Sequence, residues 1–191
     1  MDRRNFAIVA ALLCAVLAGG IRAEDKKPVV VLETSMGTIE VELYPEKAPI
    51  TVANFLAYVN DKFYDNTVFH RVVANFVIQG GGFTADGNQK PTKDPIKNEA
   101  GNGLKNEKGT ICMARTPVVD SATSQFFINL KDNIALDHTE DSPRGFGYCV
   151  YGKVISGMDV VEKIGTAPTQ GGVPDGPPAQ TITLKSATVK K

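Results

Sequence analysis

Arg71, Gln79, Gln125 and Phe127 are the residues whose types and spacing could do chemistry. Arg71 and Gln79 stand in Val68–Gly82, VFHRVVANFVIQGGG. Here two runs rich in β-branched and aromatic residues, Val68–Val73 and Phe76–Gln79, are separated by Ala74-Asn75 and closed by three glycines. That pattern predicts a tight β-hairpin. Side chains alternate faces along a strand, so Phe69, Arg71 and Val73 share one face while His70 and Val72 share the other. In the second run Val77 and Gln79 oppose Ile78, and in Ser124–Leu130 Gln125, Phe127 and Asn129 oppose Phe126 and Ile128. Arg71, Val77, Gln79, Gln125 and Phe127 can therefore lie on one face, leaving Val72, Ile78, Phe126 and Ile128 for the core. A guanidinium is always charged and donates from a rigid fork. Held with glutamines among apolar side chains, it suits a binding floor that polarises a neutral group. The same parity sets His70 opposite Arg71 and predicts a core histidine with its hydrogen bonds satisfied.

Other chemistries fit less well. Ser121 and Ser124 with Asp137 and His138 supply the residue types of a hydrolase triad, yet neither serine sits in a nucleophile elbow. Asp137-His138-Thr139-Glu140-Asp141 reads as a polar surface loop rather than a set of ligands, so no metal or other cofactor is expected. Gly80-Gly81-Gly82 and Lys108-Gly109-Thr110 lack the order of a phosphate-binding loop. Cys112 shares parity with Ala114 and Cys149 opposes Tyr148, which predicts two thiols on opposite faces rather than a disulfide.

The elements that must position these residues follow from the chain in order. Residues 1–23 combine a basic start, an apolar run from Phe6 to Ala18 and a small-residue exit, which predicts a secretory signal peptide cleaved after Ala23 or Gly20. The run is too short to span a membrane. Arg3-Arg4-Asn5-Phe6 resembles a twin-arginine export signal, although so short a basic region favours ordinary export. Residues 24–191 are then one domain, periplasmic or secreted. Taking Asp2, Arg3, Arg4 and Arg22 from 21 basic and 21 acidic residues leaves a formal charge of −2, which recruits neither nucleic acid nor anionic lipid. Nothing signals a dimer, so a monomer is the default.

Val29–Thr34 and Thr38–Leu43 flank a turn and read as a hairpin with Ile39, Val41 and Leu43 buried. Pro49 opens an amphipathic helix carrying Val52, Phe55, Leu56 and Val59. After the Val68–Gln79 hairpin, Gly80–Lys108 is a long polar connection of a length that is usually functional or mobile. Thr110–Ala114, Ser124–Leu130, Gly147–Val154 and Thr181–Val189 read as strands. Asp132–Asp137 reads as a short helical turn, Met158–Ile164 as a second helix, and Pro168–Pro178 as a surface connection. About eight locally paired strands with two helices predict a mainly β fold, a barrel or sandwich whose ends the helices plug.

Several segments together resemble the cyclophilin family of peptidyl-prolyl cis-trans isomerases: FHRVVANFVIQGG at 69–81, NEAGNGLKNEKGTICMAR at 98–115, SATSQFFINL at 121–130, FGYCVYGKV at 146–154 and GMDVVEKI at 157–164. The NEAGNGL and SATSQFFIN wording, with an export signal, is most similar to the periplasmic bacterial branch. The resemblance implies a closed eight-stranded antiparallel β-barrel capped by two α-helices, and isomerisation of Xaa-Pro bonds in proline-containing polypeptides without a cofactor. It implies that Arg71 and Gln79 are catalytic, Gln79 by orienting Arg71. Phe76, Val77, Gln125, Phe127, Leu136 and Tyr148 would bind substrate, with Ala114 and Arg115 at a strand edge that pairs with the substrate backbone. Val77 replaces a more usual methionine, Arg115 a frequent asparagine, and Tyr148 the histidine of eukaryotic members. Ala135 stands where the family has tryptophan or phenylalanine, which implies weak cyclosporin binding and a proline pocket more open than usual. The alternative from a different class is a proline-peptide binding module or holdase with weak isomerase activity.

Overall fold

The structure, a computed structural model, describes residues 27–191; the leader expected over 1–23 lies outside them. Val29–Thr34 (β1) and Gly37–Leu43 (β2) form the first hairpin. Its turn is fastened by Thr34, whose Oγ1 donates to the Gly37 carbonyl at 2.6 Å and accepts the Met36 N–H at 3.0 Å. Ile39, Val41 and Leu43 all point into the core, as their alternation requires.

Helix α1, Pro49–Asn60, starts with proline in its first turn and buries Val52, Phe55, Tyr58 and Val59. Leu56, expected inside, is only half-buried, and the buried face is centred on Phe55 and extends toward Tyr58 instead. No neighbouring side chain caps the helix. Glu99, far along the chain, does so instead, accepting from the N–H groups of Ile50 and Thr51 at 3.1 and 2.8 Å. A carboxylate at a helix N-terminus satisfies orphan donors and faces the positive end of the dipole. The long polar connection is thereby tied to the first helix.

The remaining strands are Thr67–Val68 (β3), Arg71–Val73 (β4), Val77–Gly80 (β5), Thr110–Met113 (β6), Phe126–Asn129 (β7), Val150–Ser156 (β8), Asp175–Gly176 (β9) and Thr183–Val189 (β10). Helix α2, Met158–Gly165, lies between β8 and β9. The strands form one sheet in the order β3-β10-β1-β2-β8-β6-β7-β5-β4-β9, and each pairing is antiparallel. β3 and β4 lie toward opposite ends of that order yet are separated in the chain only by Phe69 and His70. The sheet therefore curls back on itself at residues 67–73, where the Phe69 N–H donates to the Ile182 carbonyl at 2.9 Å. With 67–73 taken as one interrupted strand and two-residue β9 set aside, the architecture is eight antiparallel strands and two helices.

The interruption corrects two expectations. Phe69 does not share the face of Arg71: it enters the main core beside Val72 and meets the Phe126 ring edge-on at 6.3 Å. His70 is not a satisfied core residue. It is half-buried against the Phe83 ring, at 4.6 Å between centroids, and its Nδ1 has no hydrogen-bond partner. Alternation holds only while a strand is continuous, and the break at 69–70 resets it. Pro168–Pro178 also differs from the plain surface connection expected, since it contributes β9, which adds to the sheet beside β4.

Candidate active site

Antiparallel register brings the site residues into a row. Arg71 pairs with Gln79, Gln79 with Phe127, and Phe127 with Cys112 across β4, β5, β7 and β6. Directly opposed residues share a face, and this face lies outside the main core. It gathers a separate apolar cluster of Val77, Cys112, Phe127 and Val150, flanked by Phe76, Leu104, Ala114, Leu136 and Tyr148. Val72, Ile78, Phe126 and Ile128 point the other way, into the core.

Above the row is a cavity of about 240 Å³ lined by Arg71, Phe76, Val77, Gln79, Ala114, Arg115, Phe127, Leu136 and Tyr148. Every residue that the family resemblance makes catalytic or substrate-binding lines it except Gln125, which borders an adjoining polar cavity of about 180 Å³. Gln125 still joins the site through a hydrogen bond, because Gln79 Nε2 donates to its Oε1 at 3.0 Å. Gln79 Oε1 in turn accepts from Arg71 NH1 at 3.4 Å. Phe76 sits at the tight turn between β4 and β5, its N–H donating to the Val73 carbonyl at 3.0 Å, with Asn75 in the left-handed region at φ 57°.

The apolar wall is set by rings. Phe127 and Tyr148 meet edge to face at 5.6 Å, and the Arg115 guanidinium lies over Tyr148 at 4.9 Å. Arg115 donates to four different loop carbonyls, those of Gly147, Thr116, Pro143 and Pro117, at 2.9, 3.0, 3.1 and 3.4 Å. It therefore braces the wall as well as lining it. The β6 strand ends at Met113, one residue short of the expected Ala114, whose N–H donates to the Gln125 carbonyl at 3.0 Å. Any main-chain pairing that Ala114 offers a peptide runs through its carbonyl oxygen. Ala135 is exposed and does not line the cavity, and its neighbour Ile134 is 77% exposed.

Sequence reading missed Asp175. Arg71 Nε donates to Asp175 Oδ1 at 2.7 Å and NH2 donates to Oδ2 at 2.6 Å, a two-pronged ion pair. The pairing raises the Arg71 pKa above its ordinary value and holds the Asp175 carboxyl below the usual carboxylate range. No signal could have found it, because a two-residue strand inside a glycine- and proline-rich stretch has no periodicity.

Also missed was the polar layer behind the cavity. Asn133 Nδ2 donates to Asn129 Oδ1 at 2.7 Å and to the Phe76 carbonyl at 3.0 Å. Asn106 Nδ2 donates to the Leu136 carbonyl at 3.0 Å, and its Oδ1 accepts from Cys112 Sγ at 3.2 Å. Phe76 and Leu136 lie in turns, and these asparagines fix them. Cys112 and Cys149 are free thiols in different clusters, on opposite sides of the sheet. Burial pushes the Cys112 thiol far up and Cys149 up to about 12. Neither is a nucleophile at neutral pH.

Among the described residues no cluster of three or more His, Cys, Asp or Glu could hold a metal, and no helix is long and apolar enough to cross a membrane. The family described as "Cyclophilin type peptidyl-prolyl cis-trans isomerase/CLD" matches residues 29–189. Peptidyl-prolyl cis-trans isomerase A of Dickeya dadantii is 47% identical over 192 residues, covering 100% of both chains. Peptidyl-prolyl cis-trans isomerase B of Escherichia coli is 50% identical, covering 85% of this chain and 99% of its own. A cyclophilin type isomerase of Cryptosporidium parvum, solved in the presence of the dipeptide Ala-Pro, superposes with a TM-score of 0.70 at 25% identity, covering 85% of this chain and 99% of that one. With its curled antiparallel sheet and a match spanning β1 to β10, this chain belongs to the cyclophilin-type peptidyl-prolyl cis-trans isomerases.

Proposed function

We propose that the chain accelerates rotation about Xaa-Pro bonds in folding exported polypeptides. The proline ring lodges among Phe76, Val77, Phe127, Leu136 and Tyr148, and Arg71 stabilises the twisted amide. Resonance holds the peptide bond planar with a barrier of about 18–20 kcal/mol. No covalent bond forms or breaks in the rotation, so no nucleophile is needed. The twisted state loses resonance, its nitrogen regains a lone pair, and a fixed guanidinium is a suitable donor to it.

Magnitudes limit what Arg71 can do alone. A rate gain of about 10⁵ requires roughly 7 kcal/mol, whereas one charge-assisted hydrogen bond contributes about 1.5–3 kcal/mol. The remainder comes from holding the ring in the apolar pocket while the other side of the bond turns, with Gln79 and Gln125 orienting Arg71 and a substrate carbonyl. Binding the twisted form more tightly than either planar form is the whole of the catalysis. The observation that carries this reading is the cross-strand row in which Gln79 pairs with both Arg71 and Phe127, so that arginine and ring line one cavity. The test is isomerisation of a short Xaa-Pro peptide by wild type and Arg71→Ala.

A further inference from the structure

We infer that Asp175 is a positioning residue for isomerisation, fixing the rotation of the Arg71 guanidinium so that its remaining edge faces the bound peptide. The inference rests on the proposed role of Arg71. An arginine on a three-residue strand, its side chain 36% exposed, has several rotatable bonds and no intrinsic reason to hold one orientation. Gln79 touches it only at 3.4 Å through NH1. Asp175 grips both Nε and NH2, so two parallel bonds to one carboxylate occupy that side of the fork. With that edge taken, the outward donors of NH1 and NH2 are what the fork has left to present to a substrate.

The carboxylate is itself placed. β9 pairs with β4 in the register Val73 with Asp175 and Val72 with Gly176, so the acid stands on the strand next to the arginine it holds. The arm on either side is tied by the Gln170 N–H to the Pro177 carbonyl at 2.9 Å and the Ala179 N–H to the Pro168 carbonyl at 2.7 Å. Pro177 and Pro178 follow directly and stiffen it. A segment with no apolar pattern of its own thus delivers one carboxylate to the rim of the cavity.

The test is steady-state isomerisation of a short Xaa-Pro peptide by wild type, Asp175→Ala, Asp175→Asn, Arg71→Ala and the Asp175→Ala/Arg71→Ala double variant. Melting curves check that each remains folded. Asp175→Ala is expected to lower kcat about tenfold with KM changed less than twofold, since misorientation weakens the transition-state contact more than ground-state binding. Asp175→Asn, which keeps one acceptor oxygen, should recover part of the loss. In the Arg71→Ala background Asp175→Ala should cost nothing further. Unchanged or raised kcat in Asp175→Ala, or an equal loss in both backgrounds, would overturn the positioning role. If Arg71→Ala lowers turnover while Asp175→Ala leaves kcat unchanged, positioning alone fails; if Arg71→Ala is harmless, the Arg71 reading fails with it.

Discussion

At the scale of single residues, Arg71 and Gln79 were legible because a short alternating strand exposes a polar residue at an otherwise apolar register. Asp175 was illegible because its partner is 104 positions away and nothing local marks it. Phe69 and His70 misled for a related reason: alternation was carried across a break that only the closing of the sheet imposes. The Arg71–Asp175 pair also fixes the pH behaviour. Arg71, held above its ordinary value, stays charged throughout the neutral and alkaline range. Asp175, held low, keeps its charge above the usual carboxylate pKa of about 4 and loses the contact only as pH falls through its depressed value. kcat/KM for a neutral peptide should therefore be flat from about pH 5 to about pH 9 and decline only in stronger acid. A profile measured across that range checks this, and a half-maximal point near neutrality would count against it.

At the scale of elements, the hairpins and both helices could be read from periodicity. The two turns that carry Phe76 and Leu136 could be read as well, but not the buried asparagines that fasten them, Asn133 to the Phe76 carbonyl and Asn106 to the Leu136 carbonyl. Gly147, at φ +73°, adds a steric requirement: a Cβ there would come within 2.7 Å of the Leu136 carbonyl oxygen, so only glycine lets the Tyr148 segment close on that turn. Asn133 is the buried amide that ties β7 to the Phe76 turn. Its removal leaves Asn129 Oδ1 and the Phe76 carbonyl without that donor. Asn133→Ala should cost about 1–3 kcal/mol of stability, read from urea unfolding, and should raise KM by loosening Phe76. A variant with unchanged midpoint and KM would show that the asparagine layer is incidental to the pocket.

At the scale of the whole molecule, the count of eight strands and two helices was accessible from sequence, but its closure was not. Closure depends on residues 67–73 pairing with β10 on one side and β5 on the other, a long-range choice that no window of sequence contains. The result is a sheet with two apolar sides, a core within and a smaller pocket without. The proposed export belongs to this scale, as it concerns residues 1–23 and not the pocket. Fractionation of cells expressing the full chain should recover a shortened protein outside the cytoplasm, while a chain beginning near Glu24 should stay inside and remain an isomerase. Equal distribution of the two would remove the export proposal without touching the chemistry. The central claim concerns one guanidinium, and prolyl isomerisation of a short peptide by wild type and folded Arg71→Ala tests it most directly. Loss of one charge-assisted hydrogen bond to the twisted amide predicts a fall of about 10- to 100-fold in kcat/KM. Equal rates in the two proteins would contradict it.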